Sequence, residues 1–482
     1  MNAPRITLLD SHQRRLLDFF SADVSGHERA AAVLFRRLHC DVKDLADSDR
    51  YIMVDVVPFE ADWVTESSPS HVKFKLAHLR DLFRRCDEEN LVFGFVHNHP
   101  TGFSTFSQTD ADNELTLLKA LSNRNGVDVH FVAMLWANDA WHARVRHAVA
   151  PAIAVAARHI LVIGEKLSMY GYDTAENGDE QLHAKQAAAF GKPFVDMLRS
   201  LRIAVVGAGG TGSPTVTLLA RSGVGELIVV DKDKLEKSNL NRVRGAAVRD
   251  VTKNKARILK EFIEYLELPV SVTAIETSID DDPHALDALA SCDVIFGCTD
   301  DQIGREVLNA SLYVYAQAYI DVGLGGRISN DKNDHPCLRY HFGRVSTILP
   351  EYGECLFCQD VIRDDRIQHQ YALRCNPTMS EQEARERYLV GGGEHAPGVG
   401  PFTSAVADHG VANLFNLLRT YRRYPPHIRS DMYVIDFVTM EFSSRQNKND
   451  MDCPYCKKRE YLLMNERCRL NRPALGKPNV AI

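Results

Sequence analysis

Residues 97–110 read HNHPTGFSTFSQTD and close an apolar run, LVFGFVH. On a strand, His97 and His99 share one face because side chains alternate with period two. Asp110 follows, with Ser107 three positions before it. Two imidazoles and one carboxylate suit Zn²⁺ and leave a fourth position for water, which separates a catalytic zinc from a structural one. The ion would acidify its water and polarise a scissile carbonyl. A general base must then collect the proton, and the Ser107 hydroxyl can hydrogen-bond a tetrahedral oxyanion. Ser107 and Asp110 also spell S-x-x-D, which caps helices.

A second set begins at GAGGTG, residues 207–212, after the apolar run LRIAVV. Gly207, Gly209, Gly210 and Gly212 let backbone approach a phosphate, and a helix N-terminus favours its charge. Asp231 ends the next apolar run, where a ribose hydroxyl is usually bound. So far a nicotinamide dinucleotide fits as well as ATP. Asn239 and Arg242 in SNLNR, Lys255 in KNKA and Asp300 in CTDD break the tie. Adenylation needs cations where charge builds on the α-phosphate and the leaving pyrophosphate. It also needs a carboxylate for Mg²⁺. A dehydrogenase has no use for that set.

Cys355 with Cys358 and Cys453 with Cys456 form two C-x-x-C pairs. Four thiolates at this spacing close the coordination sphere of a structural zinc.

The 97–110 pattern resembles the JAMM (MPN/JAB) motif. The resemblance covers about the first 165 residues and implies a zinc isopeptidase or a peptidase that processes ubiquitin-like proteins (Ubls). His97, His99 and Asp110 would be its ligands. It places the family's catalytic glutamate at Glu28 in SGHERAAAVLF, with Glu60 in reserve. Residues from about 183 to 460 resemble the ThiF/MoeB/E1 superfamily. That likeness assigns Asp231 to the ribose, Asn239, Arg242 and Lys255 to the phosphates, and Asp300 to Mg²⁺, in CTDD where CTDN is usual. It also implies that the paired cysteines bind zinc. The family arginine that reaches ATP across a dimer is replaced by Lys185, which lacks the bidentate fork. The family's thioester cysteine, in the segment after the first C-x-x-C, falls on Cys375.

The elements that must carry these residues follow from periodicity. Strand-like runs occur at 51–58, 91–97, 128–136 and 159–164, with helix-like runs at 71–86 and 110–122. From 183 the order becomes helix, strand, Gly-rich turn, helix, strand, a βαβ unit. A Gly-rich segment at 391–400 precedes a helix at 403–419. The expected architecture is α/β throughout. A JAMM (cytidine-deaminase-like) domain occupies 1–170, a polar linker 171–182, and a Rossmann-like ThiF/E1 domain 183–482.

Composition sets the bounds. In 482 residues, 45% are hydrophobic and 25% charged, with net charge -7. The length suggests two domains. Nothing basic enough for nucleic acid is present, and no run approaches the ~18 apolar residues that span a bilayer. The N-terminus lacks a signal-peptide core. A cytoplasmic protein is expected, so the eleven cysteines are metal ligands, nucleophiles or buried residues rather than disulfides.

Together these features lead to ATP- and Mg²⁺-dependent adenylation of a Ubl with a C-terminal glycine, then thioester formation on Cys375 and transfer to an E2-like enzyme. The fused zinc peptidase would process or deconjugate the same Ubl. A homodimer is expected. The rivals are a sulfur-carrier activator with a precursor-processing peptidase, and a non-catalytic Ubl-binding scaffold.

Overall fold

Short runs rich in Val, Ile, Phe and Ala build two separate large sheets. The computed structural model describes residues 3–22, 25–40, 49–172, 181–376, 398–445 and 450–464, with single residues at 42, 45, 378, 380 and 448. Most of the 171–182 segment, residues 391–397 of the Gly-rich run, and the end of the chain from 465 lie outside the described residues. The chain divides into two compact units, Met1–Glu176 and Asn177–Ile482.

The first unit contains β1 (Arg5–Leu9), α1 (Asp10–Ser21), β2 (Ala30–Leu38), β3 (Arg50–Pro58), β4 (Val64–Ser68), β5 (His71–Phe74), α2 (Arg80–Glu88), β6 (Val92–Asn98), α3 (Gln108–Asn125), β7 (His130–Ala137), β8 (Ala140–His147), β9 (Ala154–Ala156), β10 (His159–Ile163) and β11 (Leu167–Tyr170). Nine strands form one sheet in the order β11-β10-β1-β3-β2-β6-β7-β8-β9, and β4 and β5 form a separate hairpin. β2 shows why AAAVLF is apolar without a break. Ala31, Val33 and Phe35 join the core that includes Leu16 and Phe20 of α1. Ala30, Ala32 and Leu34 join the core that includes Phe83 of α2 and Leu117 of α3. A strand covered on both faces has no polar side to show.

One expected element is different. The helix-like run 71–86 begins as strand β5, continues as a 3-10 turn at Leu76–Leu79, and becomes helix only at Arg80. Val72 is buried beneath the hairpin, and the SSPS turn before His71 favours a reversal over a helix start.

The second unit contains α4 (Ala184–Phe190), α5 (Lys192–Ser200), β12 (Arg202–Val206), α6 (Gly212–Arg221), β13 (Glu226–Val230), α7 (Lys255–Tyr265), β14 (Ser271–Ile275), α8 (Pro283–Ala290), β15 (Val294–Gly297), α9 (Gln302–Val314), β16 (Ala318–Asn330), β17 (Pro336–Ile348), α10 (Asp364–Cys375), α11 (Gly400–Leu418), β18 (Met432–Asp436) and β19 (Glu441–Ser443). Its sheet runs β14-β13-β12-β15-β16-β17-β18-β19. The five strands from β14 to β16 are mutually parallel. Numbered within the unit, they lie in the order 3-2-1-4-5, a Rossmann-like doubly wound arrangement. β12 and β13 are buried at every position, as strands between two helical layers must be. The remaining strands extend the sheet antiparallel. Among the described residues, no helix is long and apolar enough to cross a membrane.

Candidate functional sites

In an open α/β sheet, ligands bind beyond the carboxyl ends of the strands where strand order reverses. Here that point lies between β12 and β15, and a cleft of about 800 Å³ opens there. Its walls include Gly207, Gly209, Gly210, Asp231, Asn239, Arg242, Lys255 and Asp300. Gly207 has φ +96°, and a Cβ on it would lie 2.6 Å from the Cys298 carbonyl oxygen at the end of β15. Only glycine lets the two strand ends approach so closely. Gly209 has open space where a Cβ would stand. Gly212 plays a different part from the cleft-lining glycines and is not among the lining residues. It opens α6, and a Cβ there would lie 1.7 Å from the Gly207 carbonyl oxygen. That contact leaves no room for a side chain where the helix meets the strand end.

Asp231 secures the glycine turn. One carboxylate oxygen accepts from Ala208 N–H at 2.6 Å and the other from Asp233 N–H at 2.7 Å. Burial raises its pKa above the usual carboxylate value, against those hydrogen bonds and the Lys255 charge. Lys255 opens α7 and pairs with Asp233 at 3.0 Å. Arg242 donates to the Ser238 carbonyl at 3.0 Å. The side-chain oxygen of Asn239 accepts from Glu236 N–H at 3.2 Å, fixing the short turn that carries it. Asp300 is exposed, and among the described residues its carboxylate has no hydrogen bond or ion pair.

Sequence reasoning missed the far wall. Arg374, near the end of α10, pairs with Asp280 and with Asp301 at 3.2 Å. Asp280 is buried, which would raise its pKa, yet Arg374 and Ser278 hold it below the usual range. Cys375 itself ends α10, exposed, and is not among the cleft-lining residues. Lys185 is exposed on α4 and is also absent from the lining.

In the first unit, Glu28, His97, His99 and Asp110 come together and are all buried. Ala30 at the start of β2 pairs with His97 on β6, which brings Glu28 beside the histidines. The Nε2 atoms of His97 and His99 are 3.1 Å apart. Asp110 Oδ1 is 3.1 Å from His97, and Glu28 Oε1 is 3.6 Å from His99. Zn–N bonds of about 2.0 Å in a tetrahedral site would put two ligand atoms about 3.3 Å apart, so this donor set fits zinc. Burial raises the Glu28 carboxyl despite the nearby histidines. Burial would also raise Asp110, but hydrogen bonds from His97 and His99 hold it well below the usual range. Ser107 caps α3. Its hydroxyl accepts from Asp110 N–H at 3.1 Å and donates to the Asp110 carboxylate at 2.8 Å. The helix cap and the candidate site therefore share this serine. Glu60 is exposed.

The four paired cysteines also converge, with all four sulfurs within 4.8 Å of one another. Cys355 is 3.5 Å from Cys453, and Cys358 is 3.5 Å from Cys456. Zn–S bonds of about 2.3 Å in a tetrahedron give sulfur separations of about 3.8 Å. The cluster docks on α9, where Leu356 N–H donates to Asn309 at 3.0 Å and Tyr455 packs on Tyr313, while Phe357 stacks on Tyr455 between the two halves.

The unit with the doubly wound sheet, the glycine turn at its switch point and the four-cysteine cluster is where a family is recognised: the chain belongs to the ThiF family, whose model matches residues 183–455. It is similar to the SAMP-activating enzyme E1 of Haloferax volcanii, with 40% identity over 161 residues, 33% of this chain and 54% of the relative. It is similar also to the sulfur carrier protein ThiS adenylyltransferase of Escherichia coli, with 29% identity over 130 residues, 26% of this chain and 51% of the relative. The chain thus spans about half the length of these curated relatives. Among solved structures, E. coli MccB in complex with N-formylated MccA matches at 20% identity and a TM-score of 0.44, over 59% of this chain and 77% of that one.

Proposed function

We propose that the second unit uses ATP and Mg²⁺ to adenylate the C-terminal carboxylate of a Ubl or a sulfur-carrier protein. The observation that carries this reading is the cleft at the strand switch point, where Arg242, Lys255 and Asp300 face the glycine turn. The substrate carboxylate attacks the α-phosphorus, the bond to the bridging oxygen breaks, and pyrophosphate leaves. Asp231 orients the ribose, Asn239, Arg242 and Lys255 offset the growing phosphate charge, and Asp300 holds Mg²⁺. The finer reading is an E1 that passes the acyl group on. The Cys375 thiolate attacks the acyl carbon, AMP leaves, and a thioester remains for an E2-like enzyme. The position of Cys375, next to the cleft-lining Arg374, supports it.

Pyrophosphate–ATP exchange that depends on a Ubl with a free terminal glycine tests this. Asp300→Ala should lose exchange. Cys375→Ala should keep exchange but lose the thiol-sensitive Ubl adduct. Retained exchange in Asp300→Ala would end the assignment of Asp300. An adduct unchanged in Cys375→Ala would move the nucleophile, and a wild type with exchange but no adduct would favour the sulfur-carrier reading.

The His97, His99, Asp110 and Glu28 cluster favours a second activity, a JAMM-type zinc peptidase acting on the same class of substrate. The two histidines and Asp110 would hold the ion, and Glu28 would take the proton of the attacking water. His97→Ala should abolish cleavage of a Ubl fusion and leave pyrophosphate exchange near the wild-type rate. Cleavage that survives in both His97→Ala and Asp110→Ala would rule this activity out.

A further inference from the structure

Asp128, His130 and His147 form another cluster in the first unit. His130 opens β7, His147 closes β8, and the two are direct cross-strand partners. Their ring centroids are 4.4 Å apart. Asp128 lies two residues before His130, and its Oδ1 is 3.0 Å from His147 Nε2. One donor atom from each of the three lies within 4.8 Å of the other two. The cluster is remote from His97, which sits beside Leu135 on β7. At about 3.3 Å per residue along the strand, the separation is about 17 Å, so no ion is shared.

A relay of hydrogen bonds sets the His130 ring. The Tyr51 hydroxyl is 2.8 Å from His130 Nδ1 and donates to Asp49 at 3.3 Å. When the Tyr51 hydroxyl donates to Asp49, its oxygen is free to accept from Nδ1–H, and that tautomer leaves the lone pair on Nε2. Such an outer partner fixes the tautomer and orientation of a metal-binding imidazole. Arg37 is the cation opposed to a bound metal, and Asp49 pairs with it at 2.9 Å. His39 also leans on Asp49, at 2.8 Å. Asp128 is then the carboxylate left to the cluster, 89% exposed and open to water.

We propose that Asp128, His130 and His147 bind a divalent transition ion, zinc above all, through one carboxylate oxygen and the two Nε2 atoms, with water completing the shell. Two imidazoles and a carboxylate are ordinary zinc ligands. The ion would staple the open end of the β7–β8 hairpin, whose other end is closed by the tight turn at Asn138–Asp139. The site depends on neither the peptidase nor the adenylation reading.

The test is a metal count on full-length protein dialysed against micromolar free Zn²⁺. Wild type should hold one more zinc per chain than His147→Ala or Asp128→Asn, and the same difference should appear in a His97→Ala background. Amide exchange at residues 128–131 and 145–147 should slow with zinc in the wild type and not in the variants. If His147→Ala fails to fold, Asp128→Asn decides, because its side chain is exposed. Equal zinc content in wild type and Asp128→Asn, or hairpin exchange indifferent to zinc, overturns the proposal.

Discussion

Gly209 and Gly212 belong to one loop, but a methyl group added to each would meet different surroundings. At Gly209 it meets open space; at Gly212 it would overlap the Gly207 carbonyl at 1.7 Å. Gly209→Ala should therefore change stability by less than about 1 kcal/mol. It should still weaken ATP binding about tenfold or more if a phosphate lies against that backbone. Gly212→Ala strikes backbone that cannot rotate away, and should lose about 3 kcal/mol or more. Urea unfolding and nucleotide titration separate the two effects. Unchanged ATP affinity in Gly209→Ala would show that phosphate does not lie there. Much of the lining of the switch-point cleft comes from short local patterns, GAGGTG, SNLNR and CTDD. The Arg374, Asp280 and Asp301 triad does not. Arg374 lies 94 residues from Asp280 and 73 from Asp301, and no periodicity links them.

At the scale of elements, α10 is held to the cleft rim by Arg374. Asp280 is depressed in the folded chain, so the pair stabilises the fold above the unfolded carboxyl pKa of about 3.9. That stability is lost as pH falls through the lower folded value. Arg374→Gln should cost about 1–2 kcal/mol at pH 7, a modest figure because the guanidinium is partly open to solvent. The gap to wild type should close under acid, below both pKa values. Amide exchange over 364–375 should also rise in the variant. A gap that persists undiminished in acid would show that Arg374 acts through packing alone. Strands β3, β6, β7, β10, β12 and β13 were legible because each is a compact apolar run. The β4–β5 hairpin was missed because HVKFKLAHLR satisfies a helical pattern as well as an alternating one. Only packing beneath the hairpin decides between them.

At the scale of the whole molecule, each unit has its own sheet and its own buried residues. Multi-domain chains commonly depart from a single two-state transition. Calorimetry should resolve more than one. Cys453→Ser should lower the transition of the second unit alone and remove one zinc, because a structural zinc contributes folding free energy on the order of 10 kcal/mol. A uniform shift of a single transition would contradict this. The sequence pattern changes near residue 183, and the two compact units meet in sequence at Glu176 and Asn177. The antiparallel half of the second sheet was not legible, since β16 through β19 carry no turn signature as compact as the glycine loop.

The four-cysteine cluster also constrains the order of events during folding. Its two halves are 98 residues apart, and α10, α11, β18 and β19 all lie between them. Closing so long a loop costs entropy before any bond to metal repays it. If the cluster binds zinc, that cost favours completing it after the later strands have joined β17. On that order the cluster acts as a late lock on a nearly finished sheet, and its thiols stay open to stray oxidation until it closes.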